Sequence, residues 1–371
     1  MVLDDSFYMR RTLELAARGS GSTSPNPLVG AVIVKAGEII GEGWHEKAGE
    51  PHAEINAIMN SKVPVEGSTI YVNLEPCSHF GRTPPCAAEL VKRRFKRVVM
   101  AMEDPNPLVA GRGIKLMRDS GIQVDVGLNR IDALKLNDIF IKYITRRTPF
   151  VLLKAAMTLD GKTATKSGDS KWISGELSRE YVHHLRNRYS SILVGLNTVV
   201  NDNPELTTRL EGVITRNPVR IIVASKGRIP ADAKVLAIDE NRRTIVVSTG
   251  DITEEKAMYL KNKGAEIIIT DKKEGKTDIR QLMEELKKKG IDSLMVEGGG
   301  TVAAAFLEEG LVDKVAFFIA PVIIGGKGAP TPVMGDGADI IKDGFRLKYQ
   351  SVTTFDQDVL IEGYINVPWE E

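Results

Sequence analysis

His52-Ala53-Glu54, followed by Glu75-Pro76-Cys77 and then Cys86, is the feature that most limits how this chain can fold. One imidazole and two thiolates supply three corners of a tetrahedral zinc site and leave the fourth for water. A helix starting near His52, a strand over Thr69–Leu74 and a helix over Ala87–Arg94 must therefore bring their ends together. The chain has only two cysteines, and in a reducing compartment such a pair points to metal or redox chemistry, not to a structural disulfide.

Glu54 lies two residues from His52 and reads as a base, not a ligand. Zinc lowers the pKa of its water from near 16 toward about 7, and a nearby carboxylate can take that proton and pass it to a departing amine. This is the logic of the zinc deaminases, which pair H-x-E with P-C-x-x-C. Here eight residues, Ser78 to Pro85, separate the cysteines instead of two. The plainer alternative is a helix-start histidine with two unrelated buried cysteines; a closed structural zinc site lacks an obvious fourth ligand, for which His79 or His45 could serve.

The surrounding pattern alternates helix and strand. Phe7–Arg18 has helical periodicity, and Leu28–Val34 and Glu38–Trp44 form a strand pair turning near Lys35–Gly37. Strands at Lys96–Met100 and Gln123–Val126 flank a helix at Gly113–Ser120, and Asn129–Arg147 reads as helical. Pro149 then punctuates the chain, so the boundary falls at about 145–149, between domains 1–147 and 148–371. Beyond it, strands begin at Phe150, Ser191, Val219, Thr244, Glu266 and Ser293. Lys314–Ile319, Phe345–Phe355 and Val359–Ile365 read as antiparallel strands. Both halves are α/β.

The long inter-cysteine segment, Pro76 to Cys86, resembles the deaminase domain of the bifunctional deaminase–reductase family of riboflavin biosynthesis. So do Ser24–Val34, Gly43–Ile58 and Glu103–Ile114, in the same order. The resemblance implies a cytidine-deaminase-like three-layer domain, with zinc on His52, Cys77 and Cys86 and with Glu54 as the catalytic residue. It places Asn26 and His45 at the pyrimidine and His79, Arg82 and Asn106 at a ribose phosphate. A guanidinium suits a phosphate's charge and lone pairs, and Arg82 stands where many relatives have lysine. A zinc deaminase of another base, with a C-terminal recognition domain, is the alternative reading. A zinc-stabilised scaffold is a third.

In the second half the run Glu297-Gly298-Gly299-Gly300-Thr301 follows an apolar strand and precedes a helix at Val302–Leu307. Such a turn can cradle a diphosphate through exposed N–H groups and the helix dipole. Lys154–Ser174, Leu185–Arg209 and Met295–Phe306 resemble the reductase domain of the same family, which is similar in fold to dihydrofolate reductase and uses NADPH. The resemblance places Ala156, Trp172, Thr198, Asp202, Ser225, Gly299, Gly300 and Thr301 at the cofactor. It places Lys154, Ser170, Arg186, Leu206, Arg209 and Glu297 at the substrate. Lys154, Asp202 and Glu297 remain equal choices for the group that polarises or protonates it. Ser225–Arg228 is a further place for the 2′-phosphate of NADPH.

With 50 basic and 49 acidic residues and no basic block, a nucleic-acid footprint is not expected. No apolar run approaches the roughly 18 residues that span a bilayer, and the N-terminus reads as an amphipathic helix instead of a signal peptide. The expectation is a cytoplasmic enzyme acting on a phosphorylated pyrimidine ribosylamine. Family resemblance and the apolar C-terminal strands add a homo-oligomer, dimer or tetramer.

Overall fold

Local chemistry sets the first helix, α1 (Asp5–Ala17). The Asp4 carboxylate accepts from the Phe7 N–H at 2.8 Å and so caps it. The computed structural model describes residues 4–78, 85–106, 109–212 and 215–370. It divides into two units, Met1–Arg147 and Thr148–Glu371.

In the first unit β1 (Gly30–Lys35) and β2 (Glu38–Trp44) form a hairpin, followed by α2 (Ala53–Met59) and β3 (Thr69–Val72). Then come α3 (Cys86–Lys92), β4 (Arg97–Met100), α4 (Arg112–Asp119) and β5 (Gln123–Val126). The sheet order is β2-β1-β3-β4-β5, with β1 antiparallel to both neighbours and β3, β4 and β5 parallel. Alternation along the strands sorts the two faces. Ile70, Val72, Val98 and Met100 join Ala53 and Ala57 of α2, Leu90 of α3 and Met117 of α4 in one core. Tyr71, between Ile70 and Val72, turns to the other face, where it stacks on Tyr8 of α1 and donates to Asp5 at 2.6 Å. Helices thus cover both faces, giving three layers.

Gly43 brings the functional end of α2 close to the sheet. A Cβ there would lie 2.4 Å from the Ala57 nitrogen and 2.8 Å from the Ala53 oxygen, so only glycine admits this approach. The helical stretch expected over Asn129–Arg147 is two helices, α5 (Arg130–Leu136) and α6 (Asp138–Arg146). They part at Asn137, whose side chain accepts from Leu28 N–H at 2.8 Å and donates to its carbonyl at 3.0 Å. That tertiary pairing redirects the chain where periodicity alone predicts one helix.

The second unit opens with β6 (Phe150–Thr158), α7 (Glu176–Arg188), β7 (Ser191–Gly195), α8 (Leu196–Asp202) and β8 (Val219–Val223). It continues with β9 (Thr244–Thr249), α9 (Glu254–Asn262), β10 (Glu266–Thr270) and a small hairpin of β11 (Lys272–Lys273) and β12 (Lys276–Thr277). Last come α10 (Ile279–Lys288), β13 (Ser293–Val296), α11 (Gly300–Glu308), β14 (Lys314–Ala320), β15 (Lys348–Phe355) and β16 (Asp358–Tyr364). Among the described residues the sheet has nine strands in the order β10-β9-β8-β7-β13-β6-β14-β16-β15. The seven from β10 to β14 are parallel, and β16 and β15 are antiparallel. β14 is therefore not purely antiparallel as its sequence suggests: one edge pairs antiparallel with β16, the other parallel with β6. The final expected strand pair begins at Lys348, not Phe345.

Leu282, Met283 and Leu286 of α10 and Phe306 of α11 pack on Val151, Leu153, Leu294 and Val296. On the other face Tyr181 of α7 meets Phe318 and Phe355. The chain leaves β6, steps past one position to β7, runs outward to β10, and returns to insert β13 between β6 and β7. Open parallel sheets place ligands where strand order reverses, beyond the carboxyl ends of the strands. That point lies at the ends of β6, β7 and β13.

Candidate metal centre and cofactor cleft

His52 is the residue before α2, in extended conformation, and Glu54 sits in the first turn of that helix. Cys77 lies on the loop after β3, and Cys86 begins α3. His52 Nδ1 is 3.5 Å from Cys77 Sγ and 3.3 Å from Cys86 Sγ, and the three atoms lie within 4.8 Å of one another. The Cys86 N–H donates to Cys77 Sγ at 3.3 Å, and the Ala87 N–H to the Cys77 carbonyl at 3.1 Å. One imidazole and two thiols converging this tightly fit zinc. Without metal they share protons: contacts from Cys86 and His52 push Cys77 below the ordinary thiol range, while the hydrogen bond to Cys77 and burial push Cys86 above it. A cation replaces those protons.

Glu54 is 3% exposed, and burial raises its pKa above the usual carboxylate value, with the Cys77 charge adding to the effect. Its carboxyl reaches the Cys86 thiol, beside the donor set. His45 is buried edge-on to His52, with ring centroids 5.5 Å apart. Its Nδ1 meets the Pro51 carbonyl at 3.1 Å, which can only accept, so that nitrogen carries the hydrogen. Nε2 then accepts from the Asn26 amide at 3.2 Å. Burial lowers the His45 pKa, so a neutral ring and Asn26 stand together at the centre. The Asn106 backbone N–H donates to the Asp104 carboxylate at 2.9 Å. His79 and Arg82 lie outside the described residues.

In the second unit a cavity of about 550 Å³ opens at the strand reversal. Lys154 and Ala156 of β6, Ser170 and Trp172 of the following loop, and Arg186 of α7 line it. Thr198 and Asp202 of α8, Arg209, Glu297, Gly299, Gly300 and Thr301 complete the expected set in its wall. Leu206 and Ser225 are not in that wall: Leu206 is buried, and Ser225 Oγ meets Thr277 Oγ1 at 3.2 Å. Sequence reasoning passed over His183, Arg179 and Asn201, which also line the cavity. Arg179, His183 and Arg186 fall at helical spacing on α7, a signal that could have found two of them.

Glu297 is held between two cations. Lys154 Nζ donates at 3.0 Å, and Arg186 donates through Nη2 at 2.9 Å and Nε at 3.2 Å. Burial alone would raise its pKa, but Arg186 and Lys154 outweigh that and push it down to about 2. Glu297 therefore carries no proton to give near neutrality. Asp202 goes the other way: burial raises it, against opposition from Lys171 and a hydrogen bond from Ser170. His183 is pushed down to about 4 by burial, with Arg186 and Arg209 adding to it, and stays neutral. A second cavity of about 350 Å³ lies past the ends of β8 and β9, lined by Lys226, Arg228, Thr253 and Lys256, with Asp251.

The model of the cytidine and deoxycytidylate deaminase zinc-binding region matches residues 3–102, and that of the RibD C-terminal domain matches residues 149–361. The chain is 43% identical over 366 residues to the riboflavin biosynthesis protein RibD of Actinobacillus pleuropneumoniae, covering 99% of this chain and 96% of the relative. It is 38% identical over 370 residues to the Escherichia coli protein of that name, covering 97% of this chain and 99% of the relative. The solved Acinetobacter baumannii RibD superposes with a TM-score of 0.84 at 38% identity, over 97% of this chain and 98% of that one. A Thermotoga maritima structure described as a diaminohydroxyphosphoribosylaminopyrimidine deaminase/5-amino-6-(5-phosphoribosylamino)uracil reductase gives 0.83 at 38%, with the same coverage. Among the described residues no helix is long and apolar enough to cross a membrane.

Proposed function

This chain belongs to the RibD family of riboflavin-biosynthesis deaminase–reductases, and from that premise we propose how its two units divide the work. Residues 1–147 remove the amine of 2,5-diamino-6-(5-phosphoribosylamino)pyrimidin-4(3H)-one as ammonia. Residues 148–371 then reduce the ribosyl group to ribityl with NADPH, leaving 5-amino-6-(5-phosphoribitylamino)uracil. The observation that carries the reading is the convergence of His52, Cys77 and Cys86 beside buried Glu54, in a chain whose second half matches the RibD C-terminal domain.

His52, Cys77 and Cys86 would hold zinc, which would supply an electrophilic centre that acidifies a water. Glu54 accepts a proton there and returns it to the departing amine. Burial raises its pKa and thereby suits it to hold a proton between those two events. Asn26 and neutral His45 offer hydrogen bonds to the pyrimidine. His79, Arg82 and Asn106 meet the phosphate.

NADPH bound in the cleft would supply a hydride for C1′ of the ring-opened, imine-like sugar. The loop Glu297–Thr301 opens α11 and offers backbone N–H groups to the cofactor's diphosphate. Ala156, Trp172, Thr198 and Asp202 line the path of the nucleotide. Ser225 would hold it past the end of β8, and the basic cavity of Lys226, Arg228 and Lys256 suits a 2′-phosphate. Ser170 and Arg209 form the substrate side with the Lys154–Glu297–Arg186 triad. Asp202 is the better proton donor, because its pKa is raised while that of Glu297 is depressed. The edge strand β15 exposes Val352, and Ile341 and Phe345 before it are also exposed, which favours a homo-oligomer through this unit.

The test supplies the diaminopyrimidine substrate to the zinc-loaded protein and follows ammonia release and NADPH absorbance separately. Both signals are expected, in that order. Ammonia without NADPH oxidation would sink the reductase assignment, and absence of ammonia would sink the deaminase assignment.

A further inference from the structure

Glu75 is a buried acid that neither reaction uses. It is 3% exposed and is met by four backbone N–H groups. One carboxylate oxygen accepts from Gly113 at 2.9 Å and Ile114 at 3.3 Å, and the other from Gly111 at 2.9 Å and Asp104 at 3.2 Å. Its own N–H donates to the Met102 carbonyl at 3.0 Å. The donors come from both ends of the segment 104–114, which carries Asn106 and opens α4. A carboxylate is the acceptor that the orphan N–H groups of Gly111, Gly113 and Ile114 at the start of α4 require, and it takes in the Asp104 N–H as well.

Two residues further along the chain is Cys77. The same joint is tightened from the opposite side by Gly113, where a Cβ would lie 2.3 Å from the Pro76 carbonyl. Cys77 in turn is tied to α3 through Cys86 and Ala87. One short stretch of chain thus fastens two helix starts, that of α3 at the metal donors and that of α4 behind the Asn106 loop. We infer that Glu75 is a positioning residue for deamination, setting the 104–114 segment at a fixed distance from Cys77 so that phosphate and pyrimidine are held in register with the metal. This rests on the proposed contact of Asn106 with the substrate phosphate.

Glu75→Gln puts an amide donor against N–H groups that need an acceptor, and Glu75→Asp withdraws the acceptor by one methylene. In the zinc-loaded full chain both are expected to raise KM for deamination by about tenfold or more, with kcat changed less than about threefold. Zinc content and the visible spectrum of the cobalt(II)-loaded protein stay as in the parent, as does NADPH oxidation with the deaminated intermediate. Gly113→Ala, which pries open the same joint, should give the same split and serves if Glu75→Gln fails to fold. Loss of zinc, a shifted cobalt spectrum, or a fall in kcat with KM unmoved would overturn the inference, because Glu75 would then serve the ligands alone. Asn106→Ala separates the two readings. If it leaves KM unchanged, the contact on which the inference rests is wrong. If it raises KM while the Glu75 and Gly113 variants do not, the contact stands and the positioning role falls.

Discussion

The metal centre and the reductase cleft solve opposite problems. The first gathers three soft donors within 4.8 Å beside one buried acid. The second surrounds about 550 Å³ with cations, small residues and backbone, and neutralises its buried carboxylate by pairing it. Glu54 and Glu297 make the contrast plain. Both are glutamates held away from water, yet one is pushed up because burial dominates and the other is pushed down to about 2 because Arg186 and Lys154 do. Neighbours, not residue type, decide which acid moves a proton and which serves as a fixed charge.

The largest effect that would break this contrast is expected from Glu54→Gln. Ammonia release should fall by about a thousandfold, within the range typical of a lost general acid–base. Zinc content and NADPH oxidation with the deaminated intermediate should persist. Retention of deamination would mean that Glu54 moves no proton in the reaction.

Glu297→Gln is expected to act more weakly, lowering reductase kcat/KM by about tenfold to a hundredfold and leaving ammonia release unchanged. It should also cost stability. A pKa drawn from 4.5 to about 2 corresponds to roughly 3 kcal/mol. Because the folded value is the lower one, that stabilisation is fully present above pH 4.5 and is lost as pH falls toward 2. Denaturation of parent and variant should therefore differ at pH 7 and converge in acid. A difference that stays constant down to pH 2 would show that the pairing is not the source.

The smallest effect is expected at the basic cavity. Replacing Lys226 and Arg228 together by alanine should raise KM for NADPH by about tenfold and leave KM for NADH nearly unmoved, since only the former carries a 2′-phosphate. Equal losses with both cofactors would place the phosphate elsewhere.

How far each site could be read in advance follows from the same contrast. His52, Glu54, Cys77 and Cys86 are legible because zinc chemistry admits few residue types, and their spacing leaves few other uses. The strands were legible too, most within a residue or two, because alternation and apolar runs are local. Asn137 was not: it breaks a helical stretch through a hydrogen bond to Leu28, a residue 109 positions away. Glu75 stood in plain view beside Cys77, but nothing local shows that its partners are N–H groups from 104 to 114. The reductase cleft depended most on resemblance, because a turn of glycines binds through backbone that any sequence possesses.

The sequence by itself determined the metal donors, the acid beside them, the α/β character of both halves and a break near Pro149. Those properties depend on residue chemistry and short-range periodicity. The tertiary structure decided what the charges do. Only folding inserts β13 between β6 and β7, sets Glu297 between Lys154 and Arg186, and buries Glu54 beside the three metal donors. Electrostatic energies depend on distance and on exclusion of water, and a linear sequence specifies neither until the chain has closed on itself.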